Sequence, residues 1–118
     1  MPASSKAEIV QQAMGSFKTV EISIGSSKVV LRELAKPDRE KLDAELYQMK
    51  DGEYVEDDKG FLIPIDAKHY LERWIAATCD PIFTIEEITP WPLSLKKMLC
   101  EEAKKINGIE KAAETAKN

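Results

Sequence analysis

Thr19-Val20-Glu21-Ile22-Ser23-Ile24-Gly25-Ser26-Ser27-Lys28-Val29-Val30-Leu31 is the stretch that decides the fold. Val20, Ile22 and Ile24 alternate with Thr19, Glu21 and Ser23, which is the period of a strand with one buried face. Gly25-Ser26-Ser27 is turn chemistry, and the β-branched run resumes at Val29 and Val30. The segment therefore reads as a β-hairpin. A two-stranded hairpin is barely stable alone in water, so its apolar face must rest on helices.

Those helices follow in the sequence. Pro37 sits where a first helical residue belongs, Asp38 and Glu40 complement the helix dipole, and Leu42, Leu46 and Met49 recur at helical spacing. This predicts a helix over 37–50, stopped by Asp51-Gly52. Asp66 is placed to cap the next helix, whose stripe is Ala67, Tyr70, Leu71, Trp74, Ile75 and Thr78. Asp80-Pro81 ends it. Thr84 and Glu87 have capping-box spacing and open a short turn that Pro90 closes. Pro90-Trp91-Pro92 is a rigid connector. Leu95, Met98, Leu99, Ala103 and Ile106 then mark a long helix, with Asn107-Gly108 as its stop and Ile109 as the apolar contact behind it. The expected class is α+β and mostly helical, an N-terminal hairpin packed on three to four helices.

The ends are weaker. Residues 1–16 read as a flexible arm or short helix, with a Ser5–Glu8 capping box, an apolar stripe of Ile9, Val10, Ala13 and Met14, and a left-handed cap at Gly15. Residues 17–109 form one domain, and 110–118 a frayed tail. Residues 51–66 read either as a second small hairpin, with Tyr54-Val55 and Phe61-Leu62-Ile63 flanking Asp57-Asp58-Lys59-Gly60, or as a long loop.

The chain has 118 residues, 43% of them hydrophobic and 32% charged, with a formal net charge of −4. One domain of this size supports one core. An acidic balance argues against a nucleic-acid clamp. No segment has the roughly 18–20 apolar residues of a membrane span, and residues 1–15 do not read as a signal peptide. Two cysteines, Cys79 and Cys100, read as buried free thiols in a reducing cytoplasm.

Enzyme chemistry finds little support. His69 is the sole histidine. Ten residues of continuous helix would hold it about 15 Å from Cys79, and nothing around Cys100 favours a thiolate. No C-x-x-C or H-E-x-x-H spacing occurs. The acidic run from Asp51 fails the calcium-loop rule, because its twelfth position is Leu62 rather than a bidentate glutamate. No Gly-rich phosphate loop occurs. No catalytic residue, metal or cofactor is expected.

The aromatic residues are the remaining lead. Tyr54, Phe61 and Trp91 are the candidate partner-binding residues. Trp91, held between prolines, is read in two ways: a partner anchor, or a lid over one edge of the core.

Three stretches together resemble the tail assembly chaperones of long-tailed phages and prophages. The hairpin runs through Leu31-Arg32-Glu33-Leu34 straight into the helix at Lys36-Pro37-Asp38-Arg39-Glu40. Tyr70-Leu71-Glu72-Arg73-Trp74-Ile75-Ala76-Ala77-Thr78-Cys79-Asp80, followed by Ile85-Glu86-Glu87-Ile88, is similar to the family's central helix and following turn. Leu95 through Asn107-Gly108-Ile109 is similar to its closing helix. The acidic segment 51–66 is longer than the family pattern. The resemblance implies a non-enzymatic protein of the bacterial host cytoplasm. Such a protein binds the tape measure protein, keeps its long hydrophobic helices soluble and helps recruit major tail protein subunits. It is absent from the finished virion. It also implies a longer frameshifted form, to which residues 111–118 would be a linker. The competing class is a structural tail-completion or connector protein. Charge is polarised as well: residues 51–66 carry six acids against Lys59 alone, a local −5, while 92–118 carry six lysines against four glutamates, a local +2. That polarity points to protein binding rather than catalysis.

Overall fold

The hairpin forms as its alternation demands. β1 (Thr19–Ile24) and β2 (Ser27–Arg32) pair antiparallel, with Val20 opposite Leu31 and Ile22 opposite Val29. Cross-strand partners share a face, so these four side chains make one apolar surface. The turn takes a positive φ of 62° at Gly25, which glycine adopts without a Cβ clash. The structure, a computed structural model, describes residues 3–109. The expected tail at 110–118 lies outside them.

The helices follow in the expected order: α1 (Lys6–Met14), α2 (Lys36–Leu46), α3 (Tyr70–Thr78), α4 (Ile85–Ile88) and α5 (Leu93–Ile106). α3 and α5 pack against each other and under the hairpin, and α2 and α4 pack on α3. Leu31, Trp74, Ile75, Ile88, Leu99 and Ala103 are completely buried where these elements meet. The fold is α+β, a hairpin on helices, as the periodicity predicts.

The Thr84 capping box is complete, with Thr84 Oγ1 accepting from the Glu87 N–H and the Glu87 carboxylate accepting from the Thr84 N–H. α5 ends on paired bonds from Gly108 N–H to Lys105 C=O (3.0 Å) and from Ile109 N–H to Lys104 C=O (2.8 Å). With Gly108 at φ 83° this is a Schellman stop, and Ile109 packs against the core. Asn107 does more than end the helix. Its side chain accepts from the Leu34 N–H (2.8 Å) and donates to the Ala103 and Arg32 carbonyls, tying α5 to the end of the hairpin.

Four expectations are corrected. The helix expected over 37–50 stops at Leu46. Tyr47 turns extended (φ −131°, ψ 151°) because the returning chain captures it: Tyr47 bridges to Pro64, and the Leu46 carbonyl accepts from Ile65 N–H. Met49 leaves the core stripe for β3 (Met49–Lys50), which pairs with β4 (Glu53–Tyr54) around Asp51-Gly52. α3 stops at Thr78 rather than running to Asp80, and Cys79-Asp80 form β5, a third strand beside β2. Gly15 sits at φ −87°, not in the left-handed region, and Ser16 Oγ donates to the Gln12 carbonyl there. Asp66 does not cap the following turn (Ala67–His69, a 3-10 turn) with its side chain; its carboxylate goes to His69 Nδ1 (2.8 Å) and Arg73 Nη2 (3.3 Å).

The segment 51–66 takes the hairpin alternative and adds to it. Glu56 bridges to Leu62 across a turn in which the Asp57 carboxylate accepts from the Lys59 and Phe61 N–H groups. Gln48, Val55 and Ile63 close a ring of backbone bonds: Gln48 N–H to Ile63 C=O (2.8 Å), Ile63 N–H to Val55 C=O (3.4 Å) and Val55 N–H to Gln48 C=O (3.0 Å). The acidic segment is thus a meander held to the end of α2.

Candidate functional site

The meander, the 3-10 turn and the start of α3 enclose a groove of about 540 Å³. Its apolar walls are Tyr47, Phe61, Leu62, Pro64, Tyr70 and Leu71, with Asp57 and the small side chain of Ala67 at its margin. The bridges explain the placement. Tyr47 opposite Pro64, and Glu56 opposite Leu62, put each pair on one face. Tyr70 and Leu71 come from the outer edge of the α3 stripe, while Trp74 and Ile75 fill the core below.

A tyrosine cluster braces the groove. Tyr47 and Tyr70 share a hydroxyl–hydroxyl hydrogen bond of 2.7 Å, and their rings meet edge-on at 6.0 Å. Burial, and then the bond to Tyr47, push the Tyr70 phenol well above its ordinary value. Tyr54 meets Tyr47 edge-on at 5.8 Å and donates its hydroxyl to Asp43 Oδ2 at 2.6 Å. Burial, and then that hydrogen bond, push Tyr54 up to about 12. Asp43 also receives Arg39 Nε at 3.3 Å, and the Arg39 guanidinium stacks 5.3 Å over the Trp74 ring. Lys104 Nζ lies 4.8 Å above the Tyr70 ring.

The histidine has a carboxylate partner. The hydrogen bond from His69, then that from Arg73, holds the Asp66 carboxyl below the usual range. Cys79 is buried in β5, not on a helix with His69, and burial, then the Asp80 charge, raises its thiol. Cys100 is buried in α5. Among the described residues no three His, Cys, Asp or Glu side chains converge as a metal site. No helix among them is long and apolar enough to cross a membrane. A second cleft of about 250 Å³ lies beside α2, with Arg32, Lys41 and Arg73 interspersed with Asp38 and Glu45.

The three candidate partner-binding residues separate. Phe61 lines the groove, and Tyr54 sits behind it on Tyr47. Trp91 is half-buried and stacks edge-on with Phe83 at 5.1 Å, packed against the core as a lid. Sequence reasoning missed Tyr47, Leu62, Pro64 and Leu71 as groove walls. The signal available was the two-sided apolar width of Tyr70-Leu71, wider than one core stripe requires.

Neither a protein-family model, a curated protein nor a solved structure matches this chain.

Proposed function

We propose that the chain is a tail assembly chaperone of a long-tailed phage or prophage. It is a non-enzymatic protein of the bacterial host cytoplasm that binds the tape measure protein and helps recruit tail tube subunits. The observation that carries this reading is the run of elements: a hairpin leading through Leu34 into α2, then α3, the capped turn α4, and α5 closed by Asn107-Gly108. That is the order of the three stretches whose sequence resembles the family. An apolar groove suits a holdase for amphipathic helices, which bind by laying an apolar face into such a surface.

The test is co-expression with a tape measure protein of a long-tailed phage, taken from the same genome. A soluble complex of the two is expected. Tape measure protein that stays insoluble, with no co-purification, overturns the reading. Mass spectrometry of purified particles decides between a chaperone, which is absent from them, and a structural tail-completion or connector subunit, which is present.

A further inference from the structure

The groove has apolar walls and one acidic edge. Glu56, an exposed residue, stands directly opposite Leu62 and is bridged through it to one wall of the groove. Asp57 lines the groove and Asp58 follows it on the exposed turn. Asp57 is occupied by two backbone N–H groups. Glu56 and Asp58 have no ion-pair partner among the described residues. The cations nearby are Lys59 on the same turn, Lys68 beside Ala67, and Lys104, buried over the Tyr70 ring. Lys59 is already counted in the net −5 of segment 51–66, and Lys68 and Lys104 reduce it to −3.

An apolar slot with an unpaired acidic margin selects its occupant by charge as well as by shape. The exposed stripe of α1 from a second copy, with Ile9, Val10 and Met14, would fit the apolar requirement. But α1 carries one lysine and one glutamate, a net charge of zero, and would leave the acidic margin unmatched. We infer that the groove docks an amphipathic helix of a partner protein whose apolar face covers Tyr70, Leu71 and Phe61 and whose Lys/Arg-rich edge faces Glu56, Asp57 and Asp58. This rests on the reading of the chain as a binding protein and names the surface and the chemistry of its client.

The probe is a labelled amphipathic Leu/Lys peptide of about 18 residues, long enough to form a helix, with a Leu/Glu peptide of the same pattern as control. Fluorescence anisotropy should show the Leu/Lys peptide binding at least about tenfold more tightly, with affinity falling as salt screens the edge. Glu56→Gln/Asp58→Asn should weaken it about fivefold or more. Ala67→Gln, at an exposed position, should obstruct the groove and weaken it similarly while leaving the melting temperature unchanged. No binding, equal binding of both peptides, or binding indifferent to these variants overturns the inference. So does a concentration-dependent dimer that Ala67→Gln dissolves, which would give the groove to a second copy. A tape measure complex that survives both variants leaves the chaperone reading standing and removes the groove. Peptide binding that obeys them, without a tape measure complex, does the reverse.

Discussion

Lys96 Nζ lies 2.8 Å from Glu72 Oε2, with both side chains buried between α3 and α5. Lys96 also donates to the Thr89 carbonyl at 2.9 Å, so one ammonium joins α3, α5 and the C-terminal cap of α4. Removing one partner strands the other charge away from water, which costs about 3–5 kcal/mol, whereas replacing both by apolar side chains of similar volume costs far less. Lys96→Met alone, or Glu72→Gln alone, should therefore lower the free energy of unfolding steeply in chemical denaturation. The double variant Lys96→Met/Glu72→Leu should recover most of the loss. A double variant as unstable as the sum of its singles would refute this account.

Asn107 supports a second prediction. Its amide accepts from Leu34 N–H and donates to the Ala103 and Arg32 carbonyls. Asn107→Ala leaves those groups without their partner, at about 1–3 kcal/mol for an unsatisfied donor. Asn107→Asp retains the acceptor for Leu34 and loses both donations. At neutral pH its carboxylate faces the Ala103 and Arg32 carbonyls at the negative end of α5, so it should be no more stable than Asn107→Ala, and it should regain stability as acid protonates it. Equal stability of the alanine variant and wild type would mean that water replaces the side chain without loss.

These two residues mark where the sequence was legible and where it was not. The hairpin was readable because Val20, Ile22 and Ile24 alternate without exception, and the α5 stop because Asn-Gly-Ile is local chemistry. Local signals are self-contained. Lys96 and Glu72 lie 24 residues apart, and each by itself looks like a solvated helix residue. Their pairing exists only after α3 and α5 pack. The same holds for the groove. Tyr70 and Leu71 were visible as helix residues and Phe61 as a candidate partner-binding aromatic, but the bridge of Tyr47 to Pro64 that brings their elements together is a long-range contact that no spacing encodes. β5 was missed because Cys79-Asp80 continues the helical pattern until β2 captures it.

Tyr54 gives a prediction in alkaline solution. Its folded-state value is about 12, above the ordinary 10.0 of a free phenol. A raised value means that the neutral phenol is favoured in the folded state. The resulting stability is fully present below pH 10 and is lost as pH rises from about 10 towards 12. Absorbance titration should find this tyrosine ionising late, and Tyr54→Phe should remove part of the alkaline loss of stability. If Tyr54→Phe melts with the same profile as wild type between those pH values, neither the burial of this phenol nor its hydrogen bond to Asp43 governs the alkaline loss.

Asp66 gives the opposite sign. Hydrogen bonds from His69 and Arg73 hold its carboxyl low, so its contribution is present above the ordinary carboxylate value and is lost as pH falls through the lowered one. The side chain is solvent-accessible, so the effect is modest and salt-sensitive. Asp66→Asn should lower the melting temperature slightly at neutral pH and converge with wild type in strong acid. A gap that persists unchanged there would assign the effect to packing rather than charge.

α1 stands apart from the core. Ser5 caps it, with its Oγ accepting from Glu8 N–H at 3.2 Å and donating to Glu8 Oε1 at 2.9 Å, yet none of its nine residues is buried. Ile9, Val10 and Met14 are each more than half exposed. A helix this short gains too little from its own hydrogen bonds to be stable alone, and it lends no side chain to the core described above. A chain beginning at Ser16 should therefore unfold within about 0.5 kcal/mol of the full chain, the range of surface changes that touch no packed feature. The hairpin keeps its own ties in that chain, because Lys18 N–H donates to Glu33 Oε1 and Glu33 N–H to the Lys18 carbonyl. Hydrogen exchange gives a second readout, with amides of α1 exchanging far faster than those of α3 in the full chain. A truncated chain that loses several kcal/mol, or α1 amides protected as strongly as those of α3, would mean that the arm is covered in solution.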